Sequence, residues 1–211
     1  MKKEKYYAEP LEYVKGFTEF LGCKIDLSKK PLIPRPETEF WVQNAIKDIL
    51  TNSSLLGCCN FRVLDIFAGS GCIGIAILKH VKNAKVSFAD VENRMVGHKV
   101  VKSDVFSNIK GKFDYIFANP PYIPTTKKHK VQKSVLEFEP HKALFAGKEG
   151  LFFINKFLKD AQKFLNCDGE IFMEFDSPQK PKIDKLLKKY RYKSWEFHKD
   201  QFKRWRWVEI Y

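Results

Sequence analysis

The sequence lacks the apolar run of about 18 residues that a membrane-spanning helix requires. Its amino terminus, MKKEKYYAEP, carries lysines with no apolar segment behind them, and so does not resemble a signal peptide. We therefore expect a cytoplasmic protein that does not associate with membranes.

Cysteine is scarce, and no two cysteines have the C-x-x-C spacing. The five are Cys23, Cys58, Cys59, Cys72 and Cys167. An odd number without paired spacing indicates neither a disulfide framework nor a zinc site. We expect small buried side chains or unreactive thiols, and no metal.

Arginine is also rare, since only six of the 38 basic residues are arginines. The formal net charge is nevertheless +13, and a basic surface attracts RNA, ribosomes or an acidic protein at long range. A lysine-rich composition can equally reflect codon usage. Nucleic acid is therefore not the expected substrate on charge alone.

The order of sequence patterns predicts an α/β fold. FRVLDIF, AKVSFAD, HKVVKSDVF, FDYIFANPPY and GEIFMEFD are typical of strands, and helical patterns alternate with them. This alternation favours a mostly parallel sheet with helices on both faces. KSWEFHKDQFKRWRWVEIY predicts a closing antiparallel strand pair. EPLEYVKGFTEFLGCKIDL predicts an N-terminal β-hairpin that turns at Leu21 and Gly22.

A glycine-rich turn follows the first of these strands. VLDIFAGSGCIG contains G-x-G-x-x-G, beginning at Gly69 and Gly71, between a strand and a helix. Dinucleotide sites and S-adenosylmethionine sites share this pattern, and a merely structural turn is a third interpretation. Asp90 ends the next strand, where a carboxylate can accept both ribose hydroxyls. Asp65, at the end of the first strand, can hold a cationic ligand or order the turn.

The stretch FANPPYIP, after the fourth strand, favours S-adenosylmethionine over NAD. Two successive prolines donate no N–H to a neighbouring strand, and they stiffen the loop. The Asn119 side-chain oxygen and the Pro120 carbonyl can each accept one N–H of a planar –NH₂ group, which aims the nitrogen lone pair at a methyl group. Tyr122 can cover that group. The loop predicts methylation of an amide or ring amine in which orientation does much of the work, without a metal or a covalent intermediate.

Together these motifs resemble the protein-glutamine methyltransferases that modify peptide-chain release factors (the HemK/PrmC family). The resemblance runs from about Glu9 to Tyr211 and includes LIPRPETEF, VLDIFAGSGCIG, SDVF, FANPPYI, FEPHKALFAGKEGL and GEIFMEFDSPQ. Adenine-specific DNA methyltransferases share NPPY, whereas IPRPETE together with EP-x-x-AL-x-x-G-x-x-GL is far more specific and points to the glutamine enzymes. The resemblance implies a Rossmann-like class I S-adenosylmethionine-dependent methyltransferase domain over residues 36–211, after a β-hairpin segment and loop over residues 1–35.

The expected reaction moves a methyl group from S-adenosylmethionine to the glutamine amide nitrogen of a Gly-Gly-Gln loop in a release factor, leaving S-adenosylhomocysteine. The expected cofactor contacts are Asp65, Phe67, Ala68, Gly69, Ser70, Gly71, Asp90, Asp104, Val105 and Asn119. The expected substrate contacts are Arg35, Glu37, Asn119, Pro120, Pro121 and Tyr122, with Asn119, Pro120 and Tyr122 as the catalytic residues. We expect a monomer.

Three features depart from the family pattern. The usual N-terminal helical domain is absent from this sequence, which begins almost at the hairpin. Phe67 replaces the first glycine of the cofactor turn and should crowd or reshape it. The segment between Asp90 and Asp104 leaves little room for the usual helix and strand. We expect these departures to affect cofactor affinity and docking more than reaction type.

Two other functions stay open from the sequence. An adenine methyltransferase acting on DNA or RNA would use the same loop to hold a flipped base, and the lysine-rich TTKKHKVQK favours it. A catalytically weak module that binds RNA or ribosomes would explain Phe67. The position of Glu174 is likewise open: it is buried against Arg35 or a lysine, or it faces the pocket.

Overall fold

The computed structural model describes residues 8–56 and 60–211. The helices are α1 Leu11–Lys15, α2 Pro36–Leu56, α3 Cys72–His80, α4 Lys133–Phe138, α5 Phe152–Asp160 and α6 Lys180–Lys189. The strands are β1 Phe17–Phe20, β2 Cys23–Asp26, β3 Phe61–Ile66, β4 Ala84–Asp90, β5 Val100–Lys102, β6 Phe113–Ala118, β7 Leu165–Glu174, β8 Trp195–Lys199 and β9 Trp205–Ile210. The thiols of Cys58 and Cys59 and residues 1–7 of the predicted hairpin segment lie outside the described residues.

Seven strands form one sheet in the order β5-β4-β3-β6-β7-β9-β8. The first five in this order run parallel, whereas β9 is antiparallel to both β7 and β8. The predicted parallel sheet with a C-terminal antiparallel pair is thus confirmed. The chain moves from β3 to one side through β4 and to the other through β6, and α/β sheets bind ligands at the carboxyl ends of strands at such a reversal.

Helices cover both faces of the sheet, as predicted. Trp41 of α2 and Ile77 of α3 are buried on one face, and Phe157 of α5 and Leu187 of α6 on the other. The hairpin β1–β2 shares the first of these cores, in which Phe20 is buried with Trp41. The division of the chain at residues 35 and 36 stays a prediction.

The hairpin turns at Leu21 and Gly22 as predicted, but the run LEYVK before it forms helix α1 and not a strand. Pro10 precedes the helix, and Gly16 ends it with a left-handed φ of 76°. Pro10 has its φ fixed near the helical value, and glycine adopts the left-handed conformation at little cost. These two end signals outweigh the strand-like composition between them.

The segment between β4 and β5 is as short as its sequence indicated. Residues 91–99 form neither helix nor strand, and β5 has three residues. The side chain of Met95 is 2% exposed and packs against Ala68 and Phe88 behind the glycine turn. From this short segment, the side chain of Met95 therefore supports the glycine turn.

The described residues contain neither a membrane-spanning helix nor a cluster of metal ligands. No helix there has the length and apolar character needed to cross a bilayer. No group of three or more histidine, cysteine or acidic side chains is arranged to hold a metal ion.

Acidic side chains meet where β7, β9 and α2 pack together. Burial raises the pKa of Glu170 to about 7, and the negative charges of Glu209 and Asp48 add to the shift. The Oε2 atom of Glu170 is buried without a hydrogen-bond partner among the described residues. His198 Nε2 lies 3.3 Å from Glu209 Oε2.

We predict that Glu170→Gln stabilises the protein at pH 8 and much less at pH 5. The pKa of Glu170 is about 7 in the folded state against an ordinary 4.5, so the folded protein holds this proton more tightly. Its ionisation therefore costs folding free energy, fully so above about pH 7. The variant should gain about 1–2 kcal/mol in free energy of unfolding at pH 8, less than the full shift because Glu170 is partly exposed. Denaturant unfolding at both pH values measures this, and equal gains at the two would contradict it.

Candidate active site

The carboxyl ends of β3, β4 and β6 open into a cavity of about 410 Å³, within the range usual for small-molecule sites. Its walls come from the glycine turn after β3, the end of β4, residues 103–105, the loop that begins at Asn119, and the segments 32–35 and 140–145. Residues from both the predicted cofactor set and the predicted substrate set thus border one continuous space.

Ten of the predicted site residues line this cavity. They are Arg35, Phe67, Ala68, Gly69, Ser70, Asp90, Asp104, Val105, Asn119 and Pro121. The other five are not among the lining residues, namely Glu37, Asp65, Gly71, Pro120 and Tyr122. Any direct contact of these five with cofactor or substrate stays a prediction.

Two glycines of the turn are required by sterics. Gly71 precedes α3 with a left-handed φ of 78°, and a Cβ there would collide with the side chain of Met95. Gly74 lies in the first turn of α3, where a Cβ would collide with the ring of Phe88 on β4. The first glycine gives the chain its reversal, and the second lets helix and strand approach closely.

Asp65, at the end of β3, orders this turn from the protein core. It is 1% exposed, and its Oδ2 accepts the Gly74 N–H at 2.9 Å. Burial raises the pKa of Asp65 to about 8, and its Oδ1 has no hydrogen-bond partner among the described residues. Of the two roles considered from the sequence, the geometry favours ordering of the turn.

Asp90 connects the turn to the cavity wall. Its Oδ2 accepts the Gly69 N–H and its Oδ1 accepts the Glu92 N–H, both at 2.9 Å. Burial raises the pKa of Asp90, which these backbone donors oppose. Each carboxylate oxygen retains acceptor capacity after one hydrogen bond. Asp90 can therefore accept ribose hydroxyls while it fixes the turn.

Phe67 forms part of the cavity wall in an unusual backbone conformation. Its φ is 62°, in the left-handed region that a phenylalanine rarely adopts. The ring lies 6.1 Å from that of Phe153 and 6.3 Å from that of Phe157, measured between centroids. The side chain is thus anchored in the α5 core while Phe67 lines the cavity.

The loop after β6 is held in place from two neighbouring segments. Gln179 donates from Nε2 to the Tyr122 carbonyl at 2.9 Å, and the Ile123 N–H donates to the Leu144 carbonyl at 2.9 Å. These contacts add to the stiffness of the two prolines. Asn119, at the start of the loop, is therefore presented by a fixed backbone.

The Asn119 side chain has one amide end engaged and the other open. Its Nδ2 lies 3.4 Å from the Thr38 hydroxyl, whereas its Oδ1 accepts no hydrogen bond from the described residues. Thr38 lines the cavity beside it. An acceptor oxygen is therefore available where the sequence predicted one.

Glu174, at the end of β7, is 1% exposed. Its partners are neither Arg35 nor a lysine: Thr38 and Trp41 donate to Oε2 at 2.7 and 2.6 Å, and the Tyr122 hydroxyl donates to Oε1 at 2.9 Å. Burial raises the pKa of Glu174, and these three donors oppose the shift. The Tyr122 hydroxyl proton is therefore used in the hydrogen bond to Glu174.

Arg35 pairs instead with Glu139, at 2.6 Å. The Glu139 side chain is 1% exposed and also accepts the Ile33 N–H at 3.1 Å. The Arg35 side chain remains 34% exposed. One end of the guanidinium is thus fixed, and the rest borders the cavity.

Several lining residues were not predicted from the sequence. They are Leu32, Ile33, Pro34, Glu92, Arg94, Pro140, Lys142, Phe145, Phe152 and Phe153, among others. EPHKALF contains Lys142 and Phe145, so this motif carried a signal. Arg94 and Glu92 lie in the short segment after β4, where no pattern marked them.

The residues present fit S-adenosylmethionine. A half-buried carboxylate ends β4, residues of the glycine turn line the same space, and Ile66, Phe67, Val105 and Phe153 supply apolar walls for a flat ring. Such a mixture of apolar walls and a few convergent polar groups is typical of cofactor sites.

Comparisons with known proteins agree with this geometry. A sequence profile described as "Methyltransferase small domain" matches residues 49–142. A release factor glutamine methyltransferase of Flavobacterium psychrophilum is 33% identical over 217 residues, which cover 96% of this chain and 75% of that relative.

Two solved structures are similar in fold. The release factor-specific protein-(glutamine-N5) methyltransferase of Alicyclobacillus acidocaldarius gives a TM-score of 0.55 at 21% identity, covering 85% of this chain and 93% of that one. The hMettl16 catalytic domain, in complex with a MAT2A 3′UTR hairpin, gives a TM-score of 0.64 at 15% identity, covering 95% of this chain and 77% of that one. At these identities the likeness supports the fold alone.

We predict that Asp90→Ala weakens binding of S-adenosylhomocysteine about 10- to 100-fold. The variant loses hydrogen bonds to a charged acceptor, worth roughly 1.5–3 kcal/mol each, and it also releases the Gly69 N–H. Isothermal titration calorimetry measures the affinity. As a control, Asp168→Ala removes an exposed carboxylate near the start of β7 and should leave affinity unchanged. Equal affinity in Asp90→Ala and the parent would remove the ribose role.

We predict that Phe67→Gly unfolds at higher denaturant concentration than Phe67→Ala. Both variants lose the ring contacts, but only glycine adopts a φ of 62° without strain, a difference of about 1 kcal/mol. Both should bind S-adenosylhomocysteine more weakly, because a cavity wall is lost. An alanine variant as stable as the glycine variant would show that the backbone relaxes elsewhere.

Proposed function

We propose that this chain, which belongs to the family of release factor glutamine methyltransferases, transfers a methyl group from S-adenosylmethionine to the side-chain amide nitrogen of the glutamine in a Gly-Gly-Gln loop of a release factor. The observation that carries the proposal is the open Oδ1 of Asn119 on the wall that also contains Asp90 and the glycine turn. The protein is a methyltransferase, and the substrate is the part proposed.

The chain's own residues hold both reactants by separate contacts. Asp90 and the backbone of the glycine turn would hold the nucleoside end of the cofactor, while Phe67 and Val105 would cover its flat ring. When bound, S-adenosylmethionine supplies an electrophilic methyl group on a sulfonium. Arg35, fixed by Glu139, would present its remaining N–H groups to backbone carbonyls of the Gly-Gly-Gln loop.

The Asn119 loop would orient the glutamine amide. Asn119 Oδ1 accepts one amide N–H and the Pro120 carbonyl accepts the other, so that the nitrogen lone pair points out of the amide plane towards the donor. The Pro120 carbonyl carbon is bonded to the nitrogen of Pro121, which lines the cavity. Positive charge grows on the nitrogen as the methyl group transfers, and both acceptors then bind more strongly. The methylated nitrogen finally loses one of these protons to water.

Orientation is the main contribution that such a site can make. The amide nitrogen is a poor nucleophile, and holding it in one geometry removes the entropy of alignment from the barrier. Gln179 and Leu144 fix the loop backbone, as described above. The loop therefore needs little reorganisation when the substrate binds.

One observation favours adenine in a nucleic acid as a second candidate substrate. The 3-10 helix Thr125–Lys130 follows the Asn-Pro-Pro-Tyr loop directly, and most of its basic side chains are exposed. Lys128 lies over the ring of Phe145, which lines the cavity. A phosphate backbone could be attracted there. The flipped base would then use the same two acceptors.

We predict that Asn119→Ala lowers the rate of methyl transfer to a release factor by about 10²–10³-fold, as expected for the loss of one preorganised transition-state contact. Affinity for S-adenosylhomocysteine should change little. Labelled S-adenosylmethionine, whole release factor and peptide mapping give the rate and the modified residue. Asn44→Ala, at a half-buried position of α2 outside the cavity lining, with its amide bonded to the Phe40 carbonyl, is the matched control.

Asn119→Asp distinguishes the two substrates. The variant keeps an acceptor oxygen but adds a charge, which adenine should tolerate better than glutamine. Assays with release factor, a Gly-Gly-Gln peptide, DNA and RNA are run in parallel. Transfer to adenine with none to the release factor would overturn the proposed function.

A further inference from the structure

We propose that Thr38 is a positioning residue, whose hydroxyl holds the Asn119 amide with Oδ1 towards the substrate, and that Glu174 fixes the direction of this hydroxyl. The inference rests on the proposed function, because it assigns a role to Oδ1 in amide transfer. It concerns two residues that are 136 positions apart in the sequence and that no motif connects.

The three groups form a short buried chain. Thr38 is 2% exposed and lies in the first turn of α2. Its Oγ1 is 2.7 Å from Glu174 Oε2 on one side and 3.4 Å from Asn119 Nδ2 on the other. The path from the Glu174 carboxylate through Thr38 to Asn119 on the cavity wall thus consists of side-chain contacts alone.

Glu174 determines which way the hydroxyl proton points. The Trp41 indole N–H can only donate, and it reaches the same Oε2 atom at 2.6 Å. The Tyr122 hydroxyl donates to Oε1, and the positive charge of Arg206 also favours the carboxylate form. Because the Glu174 carboxylate can only accept, the single hydroxyl proton of Thr38 is directed to it.

The direction of that proton selects one rotamer of Asn119. A hydroxyl that has given its proton to Glu174 offers only lone pairs to its other neighbour. Asn119 must then place Nδ2 towards Thr38, since Oδ1 in that position would bring two acceptors together. The two ends of the amide have nearly the same shape, so sterics alone would not distinguish them.

The consequence for the reaction is specific. With Oδ1 towards the cavity, Asn119 accepts a substrate N–H. In the rotated form Nδ2 would meet the same N–H, donor against donor, and the substrate amide would lose its alignment. Loss of the Thr38 hydroxyl should therefore reduce kcat, with less effect on KM and on cofactor affinity.

Three variants test this. Thr38→Val removes the hydroxyl at constant shape, Thr38→Ser keeps it, and Trp41→Phe removes a different donor from the same Glu174 oxygen without touching Asn119. We expect Thr38→Val to lower kcat about 3- to 10-fold, the range for one neutral hydrogen bond, with KM for release factor and cofactor affinity within about twofold of the parent. Thr38→Ser should recover most of kcat, and Trp41→Phe, which removes one Glu174 donor but leaves the Thr38 hydroxyl in place, should lower kcat less than Thr38→Val does.

A second readout does not require activity. The side-chain amide resonances of Asn119 are assigned by their absence in Asn119→Ala. They should shift in Thr38→Val but not in Trp41→Phe. If Thr38→Val does not fold, Thr38→Ala against Thr38→Ser gives the same comparison.

Equal losses of kcat in Thr38→Val and Trp41→Phe would assign the effect to general damage around Glu174 and overturn the inference. An unchanged kcat in Thr38→Val, or unchanged Asn119 resonances, would also overturn it. A parent enzyme that does not methylate the release factor defeats the proposed function instead, and the resonances then still decide whether Thr38 orients Asn119.

Discussion

The buried carboxylate of Glu174 ties together three parts of the chain that are distant in sequence. It accepts hydrogen bonds from two residues of α2 and from the tyrosine of the loop after β6, while itself belonging to β7. A buried charge is costly unless donors surround it. Helix α2, strand β7 and the Asn119 loop can therefore shift relative to one another only if this carboxylate loses partners. The substrate end of the cavity owes its fixed geometry to that constraint.

The cofactor end of the cavity is organised around a second carboxylate, that of Asp90, which differs from Glu174 in bordering the cavity. Asp90 accepts two backbone N–H groups and still borders the cavity. The same atoms that would bind a ribose thus hold the glycine turn in shape. Cofactor binding and order of the turn are coupled for this reason, and a loss at Asp90 cannot be divided cleanly between them.

Local patterns in the sequence were enough to predict most of the fold. Alternating strand and helix patterns predicted the parallel sheet, and the glycine turn and the Asn-Pro-Pro-Tyr loop come directly after strands whose carboxyl ends meet. Helix α1 was missed because its end signals, Pro10 and Gly16, lie within a run of strand-like composition. The contacts of Glu174 with Thr38 and of Arg35 with Glu139 join residues more than 100 positions apart. Such pairs follow from tertiary packing, which one sequence does not reveal.

The close approach of α3 to β4 also limits how this sequence can change over time. A side chain at Gly74 would collide with the ring of Phe88, 14 positions away. A larger residue at 74 requires a smaller residue at 88 and a displacement of the Val86 side chain, which the same Cβ would approach at 2.9 Å, and a smaller residue at 88 leaves a void while 74 remains glycine. Either change alone is harmful, and together they compensate. Positions 74 and 88 should therefore change together during evolution. Which of the two changes first depends on whether the core accommodates the collision at 74 or the void at 88 better.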